Sequence, residues 1–186
     1  MAFDTNQIHV YGGDEDKVWV GPVEGADAAT LGLADPSGDY EHLGFLGEDG
    51  ITLTPSDTVE KFRAHQGAKV VRTKMTESET TFEFIALQDN VLVSNLQFDV
   101  LDSDTVDGVT TRRLSSSRKV TRHSFIIDLY DNDVHKRYYV PIGEIGERSE
   151  ISFSNSELTA YSFSVEVIDE MYEITNDAAL AGDGVS

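Results

Sequence analysis

Two neighbouring runs alternate apolar and polar residues so regularly that they decide what class of fold the chain can adopt. In residues 69–76, Val71, Thr73 and Met75 fall on one side and Val70, Arg72 and Lys74 on the other. In residues 79–87, Thr80, Phe82 and Phe84 share a side, with Glu79, Thr81 and Glu83 opposite. A period of two marks a half-buried strand. A tight turn at Glu77-Ser78 would join the runs as a hairpin, with Thr73 across from Phe82, Val71 from Phe84 and Arg72 from Glu83. That register gives one apolar face and one face carrying an opposite-charge pair. A slip of one residue would set the phenylalanines against Arg72 and Lys74.

Further strand-like runs lie at 18–20, 110–114, 119–129, 134–142, 150–154 and 158–168. In the last, Thr159, Tyr161, Phe163, Val165 and Val167 make one face. Residues 21–41, rich in Gly, Ala, Asp and Pro, read as a long loop, and 102–108 as a short one. The polar stretch 50–67, containing Thr54, Pro55, Ser56, Asp57 and Thr58, reads as a long loop flanked by strong strands. Within it, 59–65 fits either a strand or one helical turn. After Asp89, which can cap, Leu92 and Leu96 stand four apart as on a helix, although alternation through Val100 also fits a strand. Many short strands with at most one helix point to a β-sandwich or barrel. At 186 residues the chain fits a single domain. The expected division is an N-terminal arm (1–16), a sandwich (17–169) with 50–67 contacting a neighbour, and a C-terminal arm (170–186).

Charge narrows the function. Thirty-four Asp and Glu against fourteen Lys and Arg give −20, a field that opposes nucleic-acid binding and self-association alike. A solvated surface, or a salty host cytoplasm, accounts for it; so does a surface that must not stick to a polyanion. One patch runs against the trend. Arg112, Arg113, Arg118, Lys119 and Arg122 lie in a stretch, 112–123, that holds no acid. It lacks the interleaved aromatics of a nucleic-acid site and fits better as a basic surface meeting an acidic one on another copy.

Catalytic and metal chemistry find little footing. There is no cysteine, hence no disulfide framework or thiolate site. The histidines at 9, 42, 65, 123 and 135 show no metal-ligand spacing. Residues 102–108 resemble the start of a calcium loop, but Val106 and Arg113 stand where oxygen ligands belong. Asp128, Asp131 and Asp133 read as a hairpin turn. Neither a nucleophile motif nor a phosphate-cradling glycine loop occurs, so no catalytic, cofactor-binding or metal residue is assigned. The N-terminus lacks signal-peptide character, and no apolar run approaches the ~20 residues that span a bilayer.

Leu-Gly-Phe-Leu-Gly-Glu-Asp-Gly at 43–50, Gln66-Gly67 before Val-Val-Arg-Thr, and Thr-Thr-Phe-Glu-Phe at 80–84 together resemble the major tail tube proteins of long, flexible-tailed bacteriophages. The likeness is dense over 43–90 and ordered over about 17–169, from Val-Trp-Val to Thr-Ala-Tyr. It implies a structural virion protein with a sandwich and one flanking helix, forming hexameric rings that stack into a tube. It implies tape measure, distal tail and tail terminator partners, and passage of double-stranded DNA without specific binding. It places the protein in the virion tail, assembled in the host cytoplasm without a membrane or cofactor. Under it, Arg72, Lys74, Glu79, Thr81 and Glu83 would face the lumen; 54–58 and the basic patch would contact neighbouring subunits. The competing class is a monomeric acidic sandwich binding a sugar or receptor. It wants an exposed aromatic platform, whereas the only tryptophan, Trp19, sits in an apolar Val-Trp-Val.

Overall fold

The computed structural model describes residues 5–65 and 67–181. A single 3-10 turn at Thr5–Gln7 leads into ten strands and one helix: β1 (Lys17–Gly21), β2 (Glu41–His42), β3 (Leu46–Arg63), β4 (Val70–Ala86), α1 (Val91–Gln97), β5 (Val100–Val106), β6 (Val109–Leu114), β7 (Thr121–Asp131), β8 (Val134–Arg148), β9 (Tyr161–Val167) and β10 (Tyr172–Thr175). The fold is mainly antiparallel β. One hydrogen-bonded path runs β2-β1-β7-β8-β9-β4-β3, with β10 on β8.

The path doubles over into a sandwich because β8 changes partners along its length. Its first half pairs with β10 at 136–139 and its second with β9 from Gly143. The register with β7 shifts between His123 and Phe125, beside Pro141, whose missing N–H suits an irregularity in the ladder. Val18, Val20, Phe125, Ile127 and Val140 of one layer then meet Phe82, Phe84, Phe163, Val165 and Ile145 of the other in one buried cluster. Gly143 lies where a side chain could not. A Cβ there would stand 2.7 Å from both Phe125 and Val165.

Helix α1 closes one end through Val93 and Leu96. Its cap is Asn90 rather than Asp89: the Val93 N–H donates to Asn90 Oδ1 at 2.8 Å.

The outer face of the first layer is covered by the Gly- and Ala-rich loop after β1, over Trp19, Tyr40, Ile126 and Tyr139. A buried ion pair pins that loop. Arg137 donates through Nε and Nη2 to the two Asp128 oxygens at 2.6 and 2.8 Å, and through Nη1 to the carbonyls of Gly32 and Ala34. Trp19 Nε1 donates to Asp128 as well, at 3.0 Å. Trp19 is thus buried, as its flanking valines imply.

Five expectations are corrected. The hairpin at Glu77-Ser78 does not form; β4 runs straight through it and pairs with β3. A two-residue hairpin favours positive φ in its turn, and Glu and Ser disfavour it. The chain reverses instead near Gly67 and Ala68, at φ 74° and 51°. Residues 50–63 are accordingly strand, not loop, and Pro55 is tolerated because β3 is an edge.

Residues 102–106 belong to β5, which turns into β6 through Asp107-Gly108, both at positive φ. Residues 150–154 form no strand, since Ser154 Oγ bonds the Ser156 N–H and diverts the backbone into a turn. The sheet also continues past 169, because β10 lies in the segment expected to be an arm. The outermost parts of both expected arms, 1–4 and 182–186, lie outside the described residues. The inner parts pack together: His9 bridges Asp131 and Asp177 at 3.2 and 3.1 Å.

Candidate functional site

The second layer presents a polar face built by register alone. Arg122 pairs with Glu144, Glu144 with Glu166, Glu166 with Thr81 and Thr81 with Thr54. The next row sets Ser164 beside Glu83 and Glu83 beside Thr52. Cross-strand partners share a face, so these residues lie opposite the buried Ile145, Val165 and Phe82. Arg122 Nε donates to Glu144 Oε1 at 2.6 Å, while Glu166 and Glu83 are in no ion pair among the described residues. Carboxylates at this density repel phosphate, and the hydroxyls beside them can donate single hydrogen bonds but carry no positive charge to hold it. Among the described residues no group of three or more His, Asp or Glu could hold a metal ion.

Beyond Thr81, β4 loses its contact with β9, and β3 and β4 project alone as a two-stranded ribbon. From Val70 to Thr80 it reaches roughly 35 Å at ~3.3 Å per residue. A bulge where Thr58 pairs with Glu77 but Val59 with Met75 inserts Thr76 as an extra residue. Strict alternation would put Arg72 and Lys74 on the side of Phe82; the bulge reverses the parity.

Arg72, Lys74, Glu79, Thr81 and Glu83 therefore do share one face. They do not share the expected partners. Arg72 lies opposite Phe62 and Glu83 opposite Thr52, so Arg72 and Glu83 are far apart along one strand. Val71 and Met75, expected in the core, are 64% and 54% exposed, because no second layer covers this part of the ribbon. Residues 54–58 line its other strand, where Ser78 Oγ donates to Asp57 at 2.7 Å and Thr76 Oγ1 to the Thr58 carbonyl at 3.1 Å.

The basic patch is divided. Arg122 belongs to the polar sheet face. Arg112 reaches Ser94 and Asn95 on α1, while Arg113 lies across β5–β6 from Asp102. Arg112, Arg118 and Lys119 line an open cavity of about 580 Å³ together with Arg148, which the sequence reading passed over. Arg148 Nε donates to the Leu96 carbonyl at 2.6 Å. Burial, then the Arg118 charge, push Arg148 below its ordinary value.

Sequence reasoning also missed Glu144 and Glu166, which cross-strand pairing places on the polar face. It missed the Asp128–Arg137 pair too. The available signal was a lone acid and a lone base on the apolar side of two alternating runs, Ile126-Ile127-Asp128 and Arg137-Tyr138-Tyr139.

Compared with known protein families, residues 1–179 match the family described as "Phage tail tube protein". No curated protein matches the chain.

Proposed function

The chain belongs to the phage tail tube protein family, and from that premise we propose that six copies close into rings which stack into the tail tube of a flexible-tailed phage. As a family member it is a structural component of the virion tail, assembling into a tube with other tail proteins. In the proposed ring the polar face of β7, β8, β9, β4 and β3 lines the channel, and the edges of the sheet pair with those of neighbouring copies. The row from Arg122 to Thr54 carries this reading. An ordered sheet face of Thr, Ser and Glu lets double-stranded DNA slide without adhering. Thr81 and Glu83 are its wall residues, and Glu79 stands on the same face where the ribbon leaves the sheet. Arg72 and Lys74, on the same face, lie out on the ribbon beyond the sheet.

Inter-subunit contacts fall to the ribbon, including 54–58, and to Arg112, Arg113, Arg118 and Lys119. An isolated two-stranded hairpin is marginal in water, so contact with another copy would stabilise it. Tape measure, distal tail and terminator proteins would cap and gauge a tube assembled in the host cytoplasm.

Electron microscopy of the purified protein tests the assembly: tubes or rings are expected, and a strict monomer even with an initiator complex present would defeat it. The lumen is tested separately with virions carrying Glu83→Lys and Glu166→Lys. Ejection should slow at low salt and recover as salt rises. Unchanged ejection at low salt would place this face outside the channel.

A further inference from the structure

The far end of the ribbon reverses the charge of the protein. Residues 60–74 hold Lys61, Arg63, Lys69, Arg72 and Lys74 against one acid, Glu60, so this stretch is +4 and the rest of the chain carries −24. None of the five cations is in an ion pair among the described residues, although Lys74 lies across the strands from Glu60. Apolar groups accompany them in the open: Val59, Phe62 and Val70 are all more than 40% exposed. A projection that is both basic and apolar, on a strongly acidic body, is shaped for an acidic partner with apolar surface at its centre.

Such a surface lies at the root of the same ribbon. An open cleft of about 690 Å³ is bordered by Asp14, Asp16 and Glu48, with Phe45 and the glycines 44 and 47 among its lining. Phe45 is 74% exposed. Lys17, the cation of this cleft, is already neutralised by Asp35 at 3.6 Å. Asp16 is turned inward to accept the Tyr130 N–H at 2.9 Å, which leaves Asp14 and Glu48 exposed and free of ion pairs among the described residues.

We propose that the basic end of the ribbon docks into this acid-bordered cleft on another copy of the chain. The ribbon cannot reach its own cleft. From Glu48 to Arg63 an extended strand covers roughly 50 Å at ~3.3 Å per residue, which carries the tip away from the root. Tip and root are different patches, so the contact is head-to-tail and repeats from copy to copy. It rests on the tube reading for its biological setting, and on charge complementarity for its partner. Opposite charges steer the encounter and fix the register, and Phe45 with Phe62 would supply contact area. The contact also resolves how a −20 chain associates with itself: each junction meets the acidic body with a +4 tip.

Charge reversal tests it. Lys61→Glu with Arg72→Glu and Lys74→Glu takes the tip from +4 to −2, and Asp14→Lys with Glu48→Lys inverts the cleft; all five residues are exposed, so both variants should fold as the wild type does. Each variant alone should lose about tenfold or more of its association at low salt in analytical ultracentrifugation. Mixing the two should restore it, because the wild-type tip of one variant finds the wild-type cleft of the other, and the inverted pair also matches. Loss without rescue would show that the tip docks elsewhere and would overturn the assignment, as would unimpaired association of the tip variant. Fluorescence anisotropy with a labelled DNA duplex covers the other polyanion: binding by wild type that the tip variant loses would make the ribbon a DNA contact instead. If the rescue pattern appears in associating particles that are never tubular, the docking stands and the tube reading falls.

Discussion

Arg137 and Arg72 show the two ways in which this chain deploys a cation. Arg137 is fully buried, and all its contacts lie within the chain: Asp128 on the neighbouring strand and two carbonyls of the loop that covers it. Arg72 is exposed on a ribbon with no layer above it and no ion-pair partner among the described residues. Within the body, Arg137 spends its donors internally. The ribbon leaves its groups open to solvent, where the proposed docking would use them. Burial is what separates a charge that secures the fold from one left open to solvent.

The comparison breaks most visibly at Arg137. Arg137→Ala leaves Asp128 buried without its counter-charge, and should cost about 3–5 kcal/mol. Arg72→Ala should change folding by no more than about 0.5 kcal/mol. Urea unfolding of the two monomeric variants would measure both, and similar midpoints would erase the distinction. Limited proteolysis should also cut the loop over 22–39 faster in the Arg137 variant, since its Gly32 and Ala34 anchors are gone.

A second contrast concerns packing. Gly143→Ala forces a methyl against Phe125 and Val165 in the core and should destabilise by about 1–3 kcal/mol. Met75→Ala on the open ribbon should leave the unfolding midpoint of the monomer nearly unchanged. A large loss from Met75→Ala in dilute monomer would mean that the ribbon folds back on its own body.

The smallest effect is one of pH. Burial, and after it the Arg148 charge, push His123 below its ordinary value of 6.5. The folded state therefore favours the neutral ring. Stability from this source is fully present above about pH 6.5 and is lost as pH falls through the lower folded value. His123→Gln should flatten that window of the stability profile while leaving the ribbon's association untouched. An unchanged profile between pH 7 and pH 5 would show that His123 does not carry the dependence.

Much of the fold is legible in the chain because alternation is a local property. Period two over 69–87 marks the strand and sorts its faces, and Phe82 and Phe84 are read straight into the core. The same pattern cannot name a strand's partner. Residues 69–87 look self-complementary, yet pair with 46–63 on one side and 161–166 on the other; that choice depends on a turn at Gly67 and on a segment some eighty residues away. Nor does the pattern foresee the bulge at Thr76, which keeps Arg72 and Lys74 on the face of Glu83 by inserting a residue. It sees basic residues at 112–122 as one patch, and the strands send Arg122 to a different face from Arg112.

Composition and order by themselves determined a β protein with an acidic body, a buried Val-Trp-Val and a family likeness that the family match over 1–179 supports. Tertiary structure alone decided which carboxylates stand in one row, which arginine is sealed inside, and that the stretch expected to loop is one strand of a ribbon. The physical reason is range. Side-chain alternation and turn preference act over a few residues, whereas register, burial and the fate of a charge are fixed only when distant strands close on one another.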